Sequence, residues 1–79
     1  MHYVYVLESI TSPDKHYTGF THDLKKRLEK HNNGEVHHTS KYKQWKVNVY
    51  IAFEKKEKAT AFEKYLKSHS GRAFASKHF

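Results

Sequence analysis

Some side chains in this sequence are of the kinds that act on phosphate esters, and their spacing groups them. Tyr3-Val4-Tyr5 and Tyr17-Thr18-Gly19 each place a phenol in a run of strand-forming residues. If the two runs pair, Tyr5 and Tyr17 lie near each other on one face, with their hydroxyls at a sheet edge. Tyrosine is also a favoured strand residue, and cross-strand aromatic pairs stabilise a sheet by roughly 0.2–1 kcal/mol, so packing alone also explains them. Arg27 and His31 stand i, i+4 and share one side of a helix. A guanidinium is planar, permanently charged and suited to clamping phosphate, and an imidazole moves protons near neutral pH. With Lys25, Lys26 and Lys30 as neighbours, the same pair also reads as an ordinary solvated basic face. Glu63 adjoins Phe62 at the margin of a second helix's apolar side. One carboxylate can hold one Mg²⁺, which keeps several waters and takes substrate phosphate for the rest. It can equally form an i, i+4 ion pair with Lys67, worth roughly 0.3–0.5 kcal/mol.

The composition narrows the partners. Fifteen Lys and Arg against eight Asp and Glu give a net charge of +7, and eight histidines can add to it in mild acid. A small, basic, aromatic-rich chain attracts polyanions, and nucleic acid is the commonest of them. Lys26, Lys30, His38, Lys41, Lys43 and Arg72 are candidates for contacts to a nucleic-acid backbone, with Tyr42 or Trp45 available to stack. There is no cysteine, which excludes disulfides and a thiolate zinc site. His37-His38 lacks the spaced partners that zinc needs. The 79 residues are expected to form one domain, 1–79, with a small core in which each of the twelve Tyr, Phe and Trp side chains matters. The first residues lack the features of a signal peptide and no apolar run spans a membrane, so the expectation is a cytoplasmic protein.

These groups need elements to hold them. His2 to Glu8 is apolar at both alternating sets of positions, as a central strand covered on both faces would be. Lys15 to Phe20 predicts a second strand in a hairpin with it, and Gly19 marks a bulge or a close backbone approach. Thr21, as N-cap, or His22-Asp23 opens a helix with Leu24 and Leu28 buried, and Asn32-Asn33-Gly34 stops it. Residues 34–45 have no periodicity and read as a long polar surface loop. Lys46 to Glu54 alternates, with Val47, Val49, Ile51 and Phe53 on one side. Lys56 to His69 predicts a helix broken by Ser70-Gly71, and Arg72 to Phe79 a short closing helix with Phe74 inward. The expected fold is α/β: a small three-stranded, mostly antiparallel sheet flanked by helices, in the order β-β-α-β-α-α.

The two tripeptides, followed by Asp23-Leu24-x-x-Arg27-Leu28-x-x-His31-Asn32-x-Gly34, Thr39-x-x-Tyr42-x-x-Trp45 and Ala59-x-x-x-Glu63-x-x-Leu66-Lys67, resemble the GIY-YIG nuclease module. The resemblance covers nearly the whole chain and is closest to the small, stand-alone bacterial type. It implies an endonuclease that hydrolyses phosphodiester bonds with a single Mg²⁺ or Mn²⁺ on Glu63. It carries the family's catalytic positions onto Tyr5, Tyr17, Arg27, His31 and Glu63. It implies nucleic acid as partner, DNA more than RNA, with a protein partner as one possible source of specificity, and a role in DNA repair or recombination. The chain departs from the family at Tyr3, Val4 and Thr18, which replace its Gly and Ile residues. Arg72 to Phe79 also lacks the late asparagine of many members. A non-catalytic nucleic-acid-binding module of the same fold is the alternative, and a protein-interaction scaffold a third reading.

Overall fold

The computed structural model describes all of residues 1–79. Two strands come first, β1 (His2–Ser9) and β2 (His16–Thr21), then α1 (Leu24–Asn32) and a 3-10 helix (His37–Tyr42). The third strand β3 (Trp45–Phe53) is followed by α2 (Lys56–Leu66) and α3 (His69–His78). The sheet runs in the order β2-β1-β3, and both pairings are antiparallel. The α/β class and the order of elements are those the sequence predicts.

β1 is central because both of its faces are apolar. Val4 and Val6 point to the side covered by α2 and α3, where Ala59, Leu66, Phe62, Phe74 and Phe20 pack on them. Tyr5 and Leu7 point to the other side and meet Leu24 and Leu28 of α1, together with Trp45, Tyr42 and Val47. All four of these β1 side chains are buried. Two thin cores thus share one strand. No helix is long and apolar enough to cross a membrane.

The structure corrects four local readings. α1 is capped by Asp23, whose carboxylate accepts the amide of Lys26 at 3.0 Å. Thr21 instead closes the turn before it, accepting the Asp23 amide at 3.1 Å. Residues 37–42 are no open loop. Trp45 Nε1 donates to the Thr39 carbonyl at 2.9 Å and Ser9 Oγ to the Tyr42 carbonyl at 2.8 Å, which supplies the long-range partners that local periodicity could not show.

In β3 the alternation breaks. Val6 pairs with Val49 but Leu7 pairs with Val47, so Asn48 is an extra residue in the ladder. Val47 therefore packs beside Leu7 and Val49 beside Val6, on opposite faces, although two positions apart.

The last correction concerns the helix break. α2 ends at Leu66, and Ser68 caps α3 by accepting the Gly71 amide at 3.1 Å. Gly71 lies inside α3, where its backbone presses on the end of α2. A Cβ there would overlap the Tyr65 carbonyl. The glycine allows a close approach and does not interrupt the helix. Gly71→Ala should lower stability by roughly 1–3 kcal/mol, because backbone on both sides cannot yield to the added carbon. The check is a urea midpoint that falls at constant m-value.

Candidate active site

The site is built across the edge strand. Tyr5 projects from β1 toward α1, and its directly paired neighbour on β2 is Gly19. The Tyr5 ring lies over Gly19 so closely that a Cβ there would overlap the phenol. This is the close approach that the isolated glycine predicts, made by a side chain. Because β2 carries no side chain at that point, the phenol reaches across it to α1. Its hydroxyl meets His31 Nε2 at 2.9 Å and receives Arg27 Nε–H at 3.4 Å. Arg27 and His31 are one turn apart on α1, so both face Tyr5 as their spacing requires.

Tyr17, opposite Leu7 on β2, completes the cluster from the edge. Its ring centroid is 5.0 Å from His31 and 6.4 Å from Tyr5. Tyr5 and His31 are enclosed, at 1% and 0% exposure, whereas Tyr17 and Arg27 are half-buried and open toward solvent.

Glu63 arrives from α2, on the other face of the sheet. Lys67 links it to the cluster: its Nζ is 3.0 Å from Glu63 Oε2 and 5.7 Å from the centre of the Tyr17 ring. The i, i+4 pair foreseen as the plain explanation of Glu63 is thus present. It sits against the Tyr17 ring.

Burial and the neighbouring charges set protonation. Burial pushes the Tyr5 phenol above its ordinary value, and the Arg27 hydrogen bond opposes this without reversing it. Arg27 is raised by its hydrogen bond to Tyr5, against a desolvation cost, with Tyr17 adding to the rise. His31 is lowered from 6.5 to about 4, first by burial and then by the Arg27 charge, so its imidazole is neutral at pH 7.

The chain matches the GIY-YIG catalytic domain over residues 1–77. It belongs to the GIY-YIG nuclease family. UPF0213 proteins of Streptococcus pyogenes serotypes M3 and M1 are 41% identical to it over 76 residues, covering 90% of this chain and 76% of theirs. No solved structure matches the chain with significance. On this GIY-YIG fold the basic candidates scatter. Lys26 and Lys30 are exposed on α1, while His38, Lys41 and Lys43 are exposed on or just after the 3-10 helix. Lys41 and Lys15 each hold an ammonium 5.4 Å from the centre of the Tyr42 ring. Arg72 is apart from them on α3, at the rim of a cleft of about 690 Å³ that also includes Lys15, His16, Tyr17 and Lys67.

Sequence reasoning gave no role to Lys67 beyond an ion pair, nor to Thr39, which is fully buried against His31 with Oγ1 2.7 Å from Nδ1. The signal for Lys67 lay in its one-turn spacing from Glu63. For Thr39 the one signal was its place in the Thr39-x-x-Tyr42-x-x-Trp45 series, since its stretch has no periodicity.

The His31 shift has a direct consequence for stability. Between pH 6.5 and about 4 the unfolded chain binds a proton here that the folded chain refuses. Stability is complete above pH 6.5 and declines as the pH falls toward 4, by on the order of 2–3 kcal/mol from this group. Urea midpoints at pH 7 and pH 4.5 should differ more for the wild type than for His31→Gln. An equal difference in the two proteins contradicts the assignment.

Proposed function

We propose that this chain is a divalent-metal-dependent endonuclease that hydrolyses phosphodiester bonds, in DNA before RNA. The observation that supports this reading is that Arg27 and Tyr17 both lie beside Tyr5 at the β2 edge, while Lys67 links the Tyr17 ring to the Glu63 carboxylate from the opposite face. A guanidinium, an open phenol and a carboxylate are the groups that an attack of water on phosphorus needs: one for the phosphoryl oxygens, one for the water and one for a cation.

The family implies a divalent ion, and the donor set accommodates one. Glu63 is a hard oxygen ligand with a partly exposed side chain, and only its Oε2 is engaged, by Lys67. No group of three or more His, Asp or Glu side chains is assembled to hold a metal, so Glu63 would hold Mg²⁺ or Mn²⁺ alone, with water and substrate phosphate as the other ligands. When bound, the ion supplies Lewis-acid stabilisation of the leaving oxygen.

The chain's own residues do the rest. Tyr17, open to solvent, orients the attacking water through its phenol oxygen, and the proton that water loses leaves to bulk solvent. Arg27 neutralises charge on the phosphoryl oxygens and on any phenol oxygen that gains charge. Tyr5 stays protonated and, with His31, is too enclosed to touch substrate. Its hydroxyl and the imidazole fix Arg27 in place. Lys26, Lys30, His38, Lys41, Lys43 and Arg72 bind flanking phosphates, which fixes position and carries no sequence information.

The test uses labelled single-stranded, duplex and branched DNA and RNA with Mg²⁺, Mn²⁺ or EDTA, read for both binding and cutting. Wild-type protein should cut with a divalent ion and stop in EDTA. Glu63→Ala should lose at least about 100-fold in rate while its affinity stays within about twofold. Full cleavage by that variant defeats the proposal. Arg27→Lys should not rescue, because an ammonium lacks the planar, two-pronged donor set. A second reading, a non-catalytic binding module, draws on the Glu63–Lys67 pair, which already neutralises the only carboxylate at the site. It expects salt-sensitive binding and no product with either ion.

A further inference from the structure

The buried end of the cluster carries more than the nuclease reading uses. Thr39 Oγ1 lies 2.7 Å from His31 Nδ1 and donates to the Val36 carbonyl at 3.3 Å. A threonine hydroxyl has one proton to give. With that proton on a carbonyl, the short bond to His31 runs from Nδ1–H to Oγ1. His31 is then the Nδ1–H tautomer, and the bare Nε2 accepts the Tyr5 hydroxyl at 2.9 Å. The Tyr5 oxygen keeps its lone pairs for Arg27 Nε–H.

The opposite polarity fails at Tyr5. It would move the Thr39 proton from Val36, whose carbonyl keeps the Thr39 amide, to His31. It would then bring donors from both Arg27 and His31 onto the Tyr5 oxygen, leaving the Tyr5 proton with no acceptor in a residue only 1% exposed. A buried donor without a partner costs about 1–3 kcal/mol. The chain of hydrogen bonds therefore has one direction, from Arg27 inward to Val36.

We infer that Thr39 is a positioning residue that locks the His31 tautomer and so turns the Tyr5 lone pairs toward the Arg27 guanidinium. It acts through His31 and Tyr5 and never touches substrate. The effect on cleavage rests on the nuclease reading, whereas the tautomer does not. The residue is anchored for this task. Its backbone carbonyl accepts the Trp45 indole and its amide donates to Val36, so the 3-10 helix holds the hydroxyl fixed against α1.

The test is ¹⁵N NMR of the His31 ring at pH 7 in the wild type, Thr39→Val and Thr39→Ser. The wild type and the serine variant should show the Nδ1–H form, and the valine variant should lose it or mix it with Nε2–H. If cleavage is found, valine should lower kcat by about 10–100-fold with KM within about twofold, and serine should restore it, as for other partners that orient a functional histidine. Nε2–H in the wild type overturns the inference, and so does an unchanged tautomer in Thr39→Val. Should the valine protein not fold, Thr39→Ala, which also lacks the hydroxyl, is read in its place. A wild type that is Nδ1–H yet cuts no substrate removes the nuclease reading and leaves the lock standing.

Discussion

The hydrogen bond between the Tyr5 hydroxyl and His31 Nε2 joins the central strand to the first helix across 26 residues of sequence. Most of the candidate site depends on it. Both partners are buried, so neither finds water if the bond is lost, and the cost of breaking it is that of stranding a polar group. The bond also sets where Arg27 lies, because the guanidinium leans on the same phenol oxygen. It exists only because Gly19 leaves the edge strand bare beneath the ring. One missing side chain on β2 lets a residue of β1 act beyond its own neighbour.

This arrangement explains why α1 and α2, on opposite faces of a three-stranded sheet, can serve one centre. A central strand would separate them. At an edge strand the two faces meet, and side chains from both helices reach the same point. Tyr17 stands there, with His31 on one side of it and Lys67 on the other. Charge is divided along the same line. The enclosed side holds neutral Tyr5 and neutral His31, and the open side holds Arg27, Lys67 and Glu63. The enclosed groups provide rigidity, and the open ones are free to meet an anion.

Much of this was legible in the residues. The double apolar pattern of β1 named it as central, and the one-turn spacing of Arg27 and His31 put them on a common face. What was not legible came from tertiary contacts. The 37–42 segment has no periodicity of its own. It is ordered by bonds from Ser9 and Trp45, which no local window contains. The pKa of Tyr5 depends first on burial, which the sequence could suggest only through the neighbouring apolar residues. The helix boundary was placed at Gly71 because glycine usually breaks helices, whereas here it is needed for contact between two helices. Where propensity competed with a close approach, the close approach won.

Asn48 adds one residue to β3 between Val47 and Val49, and this places a counting rule on the strand. Upstream of that point, Trp45 and Val47 serve the core that encloses the tyrosine and histidine. Downstream, Val49 and Phe53 serve the core beneath α2 and α3. Removing a single residue there would rotate one half of the strand by half a turn and exchange inside for outside along it.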